Sequence, residues 1–117
     1  MRELKLKTIY KHFKGKEYFT LCKSTPMSND EYAKATLYAI PVVCRVVCRH
    51  TENNDNVLVY LFKNGEYHHI GLNENLVIYI ALYDNFNIYA RPYDIFMGKI
   101  DKIKYPNAKQ KYRFEEI

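Results

Sequence analysis

Eight consecutive apolar or aromatic residues, Leu76-Val77-Ile78-Tyr79-Ile80-Ala81-Leu82-Tyr83, constrain the fold more than any other stretch of the chain. The run is far short of the roughly 20 residues a membrane-spanning helix requires. It is rich in β-branched and aromatic side chains, and Asp84-Asn85-Phe86-Asn87 supplies a turn behind it. A strand at the centre of the core meets those conditions. Ile88-Tyr89-Ala90 pairs back on it, and Pro92, which cannot donate to a ladder, ends that strand or sits at an edge. The core is therefore expected to be built from β-structure.

The remaining patterns agree. Leu4-Lys5-Leu6-Lys7 alternates with period two and predicts a strand; Tyr18 to Cys22 predicts a second, joined to the first around Gly15. Ser28 and Glu31 have the spacing of a capping box, and the run Glu31 to Tyr38 carries Tyr32, Ala35 and Ala39 at helical spacing, predicting a helix of about two to three turns that Pro41 stops. From Val42 the period becomes two, with Val42, Cys44, Val46 and Cys48 on one face. Residues 51–56 predict a polar turn and 57–62 an apolar strand. Asn64-Gly65 predicts a type I′ hairpin returning through Tyr67-His68-His69-Ile70. Residues 93–97 suit one helical turn, and the charged tail from Asp101 is expected to wrap the surface.

At 117 residues this is one domain, 1–117, mainly β, long enough to bury about two thirds of its unfolded surface. The N-terminal residues Met1-Arg2-Glu3-Leu4-Lys5 lack the apolar segment of a signal peptide. The three cysteines, Cys22, Cys44 and Cys48, are too few and odd in number for a disulfide scaffold. Reduced, buried thiols and a cytoplasmic location are expected, with no membrane partner. A net charge of +5 permits a polyanionic partner without requiring one. Twelve Tyr and six Phe suit half-buried sheet positions and binding surfaces alike.

Several blocks also resemble a family. Tyr10-x-His12-Phe13-Lys14-Gly15-x-x-Tyr18, His50-Thr51-Glu52, Val77-Ile78-Tyr79-x-Ala81-Leu82-Tyr83 and Ile88-Tyr89-Ala90-Arg91-Pro92-x-x-Ile95-Phe96 occur in order. Lys104-Tyr105-Pro106 and Gln110-Lys111-Tyr112-Arg113-Phe114 follow. Together they resemble the domain-of-unknown-function family 1653, small bacterial proteins. That resemblance implies a small, strongly bent, antiparallel barrel of the Src-homology-3 kind, with one short inserted helix. It places core blocks at about 4–22, 48–52 and 76–100, insertions at about 23–47 and 53–75, and a tail at 101–117. Tyr89 stands where such sequences often carry Trp. No activity comes with the resemblance.

The chemistry the residues offer is limited. His12, His50, His68 and His69 are the only imidazoles, and His50 and Glu52 share an alternation phase. A histidine held by a carboxylate can act as a general base, although a plain polar contact is the commoner use of such a pair. Cys44, Cys48 and His50 would lie along about 20 Å of one strand, too spread for a single zinc ion. No Gly-rich phosphate loop, metalloprotease helix or nucleophile elbow is present, and Ser24 and Ser28 are the only serines. No metal, cofactor or catalytic residue is expected. Lysines cluster near both ends of the chain, where they can solubilise strand edges or form a groove for single-stranded nucleic acid. Arg91, ahead of Pro92, is placed to fork a carboxylate such as Asp94, Glu52 or a ligand's.

These residues lead to a binding or adaptor module with an aromatic and basic face made from Tyr10, His12, Phe13, Lys14, His50, Glu52, Tyr79, Tyr89 and Arg91. The expected partner is a protein or a small ligand. Single-stranded nucleic acid is the first alternative; a small enzyme using His12 or His50 is the second.

Overall fold

A computed structural model describes residues 2–37 and 40–117. The elements run β1 (Ile9–His12), β2 (Glu17–Pro26), α1 (Asn29–Leu37), β3 (Val42–His50), β4 (Asn56–Phe62) and β5 (Tyr67–His69). They continue with β6 (Leu76–Ala81), β7 (Ile88–Pro92), α2 (Tyr93–Met97) and β8 (Phe114–Glu116). Tyr38 and Ala39, which the helix reading included, lie outside the described residues.

The chain is mainly β, and six strands close into a barrel in the order β5-β4-β3-β7-β6-β2, with β2 pairing back to β5. Most ladders are antiparallel. The two that complete the circle are parallel and short: Thr25 and Pro26 meet His68 and His69, and Arg49 and His50 meet Tyr89 and Ala90. Strands β1 and β8 continue the sheet outward from β2. Segments read as additions to a core are thus part of the barrel wall, since β4 and β5 are staves.

Strand β6 explains its own apolar run. Leu76 and Ile78 pack with Cys22, Cys48, Val57, Val59 and Ala90 in one cluster. Val77, Tyr79 and Ala81 pack with Tyr10, Tyr18, Phe96 and Phe114 in a second, largely aromatic cluster. Both faces of β6 are buried, so neither can carry polar residues. In the aromatic cluster Phe96 and Phe114 stack at 4.2 Å and 11°. Phe114 brings the end of the tail into the core rather than over the surface, and β8 pairs with β1.

Local signals survive with adjustments. Ser28 and Glu31 form the reciprocal capping box, each backbone N–H donating to the other's side chain at 3.0 Å. Both hairpins use a type I turn followed by a left-handed glycine. Gly15 N donates to His12 O at 2.7 Å and Gly65 N to Phe62 O at 2.9 Å, with φ of 105° and 88° at the glycines. Asn64 keeps a negative φ, so the expected type I′ turn does not form; its side chain instead accepts from Glu66 N at 3.0 Å.

Two expectations fail outright. Residues 4–7 form no strand, because Lys7 turns the chain at φ 53° and side chains take the backbone groups. Lys5 N donates to the Tyr10 hydroxyl at 3.0 Å, and Thr20 Oγ1 donates to Lys5 O at 2.8 Å. Cys44 is exposed while Cys22 and Cys48 are buried. The ladder with β4 is regular from Cys44 to Arg49, so Cys44 shares a face with Val46, Cys48 and His50, but burial along that face rises only from Val46 onward and leaves Cys44 uncovered.

Candidate functional site

Arg91 separates two neighbouring clefts and lines both. The first, of about 300 Å³, is walled by His12, Phe13, Lys14, Arg91, Ile100, Asp101, Lys104, Tyr105 and Arg113. The second, of about 240 Å³, is walled by Tyr18, Arg49, His50, Thr51, Asn54, Tyr79, Tyr83, Tyr89 and Arg91.

The first cleft is cationic because of where three chain segments end. The β1–β2 turn presents His12, Phe13 and Lys14; β7 presents Arg91; the tail returns with Lys104, Tyr105 and Arg113. None of Lys14, Arg91, Lys104 or Arg113 has a carboxylate within 4.0 Å; the ion pairs among the described residues lie elsewhere. Asp101 is the only acidic residue in the wall, and its Oδ1 already accepts from the backbone N–H groups of Ile103 and Lys104. The Phe13 and Tyr105 rings meet edge to face at 4.9 Å, and Lys14 Nζ lies 5.8 and 5.4 Å from their respective centroids.

His12 registers that field. Burial, then the charges of Arg91, Lys14 and Arg113, lower its pKa to about 4. The ring is therefore neutral at pH 7. Its Nδ1 accepts from Lys14 N at 3.1 Å, which leaves the proton on Nε2 as a donor. The ring packs against Phe13 at 4.5 Å and Phe114 at 4.9 Å.

The second cleft is aromatic with a polar rim. Tyr89 is half-buried and stacks on buried Tyr79, centroids 6.0 Å apart and 29° between planes. Tyr18 meets Tyr79 edge-on at 5.1 Å and shares a 2.7 Å hydroxyl contact with Tyr83. Burial pushes the Tyr79 phenol up to about 12, against the opposing pull of Arg91. Thr51 Oγ1 is buried and has no hydrogen-bond partner among the described residues.

The structure redistributes the expected site. His12, Phe13, Lys14 and Arg91 meet in the first cleft, and His50, Tyr79, Tyr89 and Arg91 in the second. Tyr10 is wholly buried in the aromatic core, so it supports the face without forming it. Glu52 is exposed and lines neither cleft, because the strand ends at His50 and the chain turns. His50 pairs with Glu74 instead. Its Nδ1 accepts from Glu52 N at 3.2 Å and Asn53 N at 3.3 Å, so the Nε2 proton donates to Glu74 Oε1 at 3.1 Å. Arg91 makes no ion pair among the described residues; Nε donates to the Tyr79 hydroxyl at 2.9 Å.

Sequence reasoning missed a buried pair. Ser24 Oγ and His69 Nδ1 are 2.7 Å apart, and His69 Nε2 donates to Glu74 O at 2.8 Å. The carbonyl fixes the tautomer, so Ser24 donates to Nδ1. Both residues are fully buried, which makes the pair a clip between β2 and β5. Tyr105 and Arg113 were readable only as parts of the tail blocks. Among the described residues no His, Cys, Asp and Glu cluster is placed to hold a metal ion, and no helix is long and apolar enough to cross a membrane.

No curated protein and no solved structure matches the chain. A family model described as a protein of unknown function (DUF1653) matches residues 62–116, from the end of β4 to β8. That span supplies the central strand β6, Arg91 and the returning tail of the cationic cleft, and over it the chain is similar to the domain-of-unknown-function family 1653.

Proposed function

We propose that this barrel is a binding module that captures an anionic ligand in the cleft between the β1–β2 turn, β7 and the tail. One observation carries the reading: Lys14, Arg91, Lys104 and Arg113 converge there without carboxylate partners. Bringing four cations together costs self-repulsion, and an anion that binds among them removes it. Two guanidinium groups suit forked recognition of a carboxylate or phosphate. The neutral His12 ring adds an N–H donor at the same wall.

Binding is favoured over catalysis by how the histidines are used. His50 has Nδ1 occupied by two backbone N–H groups and Nε2 on Glu74. His12 is held at a pKa of about 4, too weak a base near neutral pH for efficient proton transfer. Three unpaired thiols, one of them exposed, suit a cytoplasmic protein.

Backbone amide NMR with added inorganic pyrophosphate tests the site. Shifts confined to the segments around His12, Lys14, Arg91, Lys104 and Arg113, and lost in the K104E/R113E variant, are expected. Shifts spread over the surface, or unaffected by that variant, would overturn the proposal.

A further inference from the structure

The aromatic cleft has no role in anion capture, yet it shares a wall with the anion site. We infer that the two clefts form one site for a nucleotide unit, with phosphate in the cationic cleft and a planar base in the aromatic one. This rests on the anion-binding reading and extends it to the chemical class of the ligand.

Arg91 is the hinge of the argument. Its Nε is fixed on the Tyr79 hydroxyl at 2.9 Å, and the same side chain lines both clefts. A ligand filling both must carry an anion and a flat ring within reach of one guanidinium. Nucleotides have that construction.

The second cleft suits a base for independent reasons. Tyr89 is backed by the buried ring of Tyr79, a rigid platform of the kind on which bases stack whatever their identity. Around it are groups that can meet a base edge: the Arg49 guanidinium and the Asn54 amide. With volumes of about 240 and 300 Å³, the two clefts stand near the small end of the roughly 300–1,000 Å³ of small-molecule sites. One nucleotide spread over both is the scale that fits.

Such a unit can arrive free or within a single strand, and the test separates the two. Calorimetric titrations use inorganic phosphate, adenosine, adenosine monophosphate and a single-stranded hexanucleotide, with the wild type, Tyr89→Phe, Tyr89→Ala and K104E/R113E. Adenosine monophosphate is expected to bind about tenfold or more tighter than either fragment, the scale of one base–aromatic stack. Tyr89→Phe should keep that advantage, and Tyr89→Ala should remove it while leaving phosphate binding in place. A hexanucleotide that binds more tightly still, with affinity falling steeply in salt, identifies a strand as the source. Equal affinity for hexanucleotide and monophosphate identifies the free nucleotide. If phosphate binds and K104E/R113E abolishes it, but the base adds nothing, the nucleotide inference fails and anion capture stands. If no anion binds, both fail.

Discussion

The side chain of Arg91 reaches diagonally across the β6–β7 ladder and donates from Nε to the hydroxyl of Tyr79 at 2.9 Å, two residues along β7 from the Tyr79–Tyr89 pair. Tyr79 is 1% exposed, so that hydroxyl has no recourse to water. Tyr79 thereby steers the guanidinium toward the clefts, and Arg91 satisfies a polar group in an otherwise aromatic core. Its Cζ also lies 5.0 Å from the Phe114 ring centroid, so cation–π attraction holds it from a second side.

Arg91→Ala should cost about 1–3 kcal/mol of stability, because it strands the buried hydroxyl. Tyr79→Phe removes the hydroxyl together with the need for a partner. In the double variant, urea denaturation should show less destabilisation than the two single losses added together. Strict additivity would mean the bond contributes nothing to the fold.

His12 should titrate near pH 4 by NMR of its ring protons, and Arg91→Ala should move that midpoint up by removing a repelling charge. The linked stability has a definite sign. The folded pKa lies below the unfolded value of about 6.5, so the unfolded chain binds more protons between the two. Stability from this group is full above pH 6.5 and is lost as pH falls toward 4. His69, lowered chiefly by burial, adds to the same trend. The urea midpoint should therefore decline from pH 7 to pH 5, and His12→Asn should flatten part of the slope. Bound pyrophosphate should raise the His12 midpoint, since an anion favours the imidazolium. A midpoint that stays near 6.5 in the free protein would contradict the cationic cleft.

What the sequence disclosed follows the range of the forces involved. The capping box at Ser28, the glycine turns at Gly15 and Gly65 and the buried strand β6 are decided by residues a few positions apart, and all were legible. The two parallel closures were not, because nothing near Thr25 or Arg49 announces His68 or Tyr89 as a neighbour. The same distance hid Glu74 from His50, a separation of 24 residues, and Phe114 from the core. Of the nine residues named from the sequence, seven line the two clefts, whereas Tyr10 is buried in the core and Glu52 is exposed away from both. An alternating pattern cannot show that a strand ends one residue earlier.

Gly98→Ala should be among the costliest small substitutions. Gly98 follows α2 at φ −72° and ψ 160°, a conformation any residue adopts, so backbone strain is not the reason. A Cβ there would lie 2.8 Å from Asp94 O and 3.4 Å from Ile95 O, both backbone atoms that cannot rotate away. Relief requires α2 to shift, and Gly98 O accepts from Arg113 N at 3.1 Å, so the cleft shifts with it. A loss of about 1–3 kcal/mol is expected, typical of forced overpacking, together with weaker pyrophosphate binding. Unchanged stability and binding would show that this corner is softer than its contacts imply.

Thiol labelling reads how far the barrel covers β3. Cys44 and Cys48 lie in the stretch of β3 that pairs regularly with β4, so they share a face. The core covers only one of them: Cys44 is exposed, whereas Cys48 is 1% exposed and Cys22 4%. Burial also pushes both buried thiols up to about 12, which suppresses the reactive thiolate. Ellman's reagent at pH 8 should therefore modify one thiol per native chain quickly, and all three only in denaturant. Cys44→Ser should remove the fast phase and nothing else, because the side chain supports no core contact. Two fast thiols would place Cys48 outside the barrel and with it the inward face of β3, on which the burial of His50 depends. Slow reaction of all three would show Cys44 covered, and the graded burial along this face of β3 would not hold.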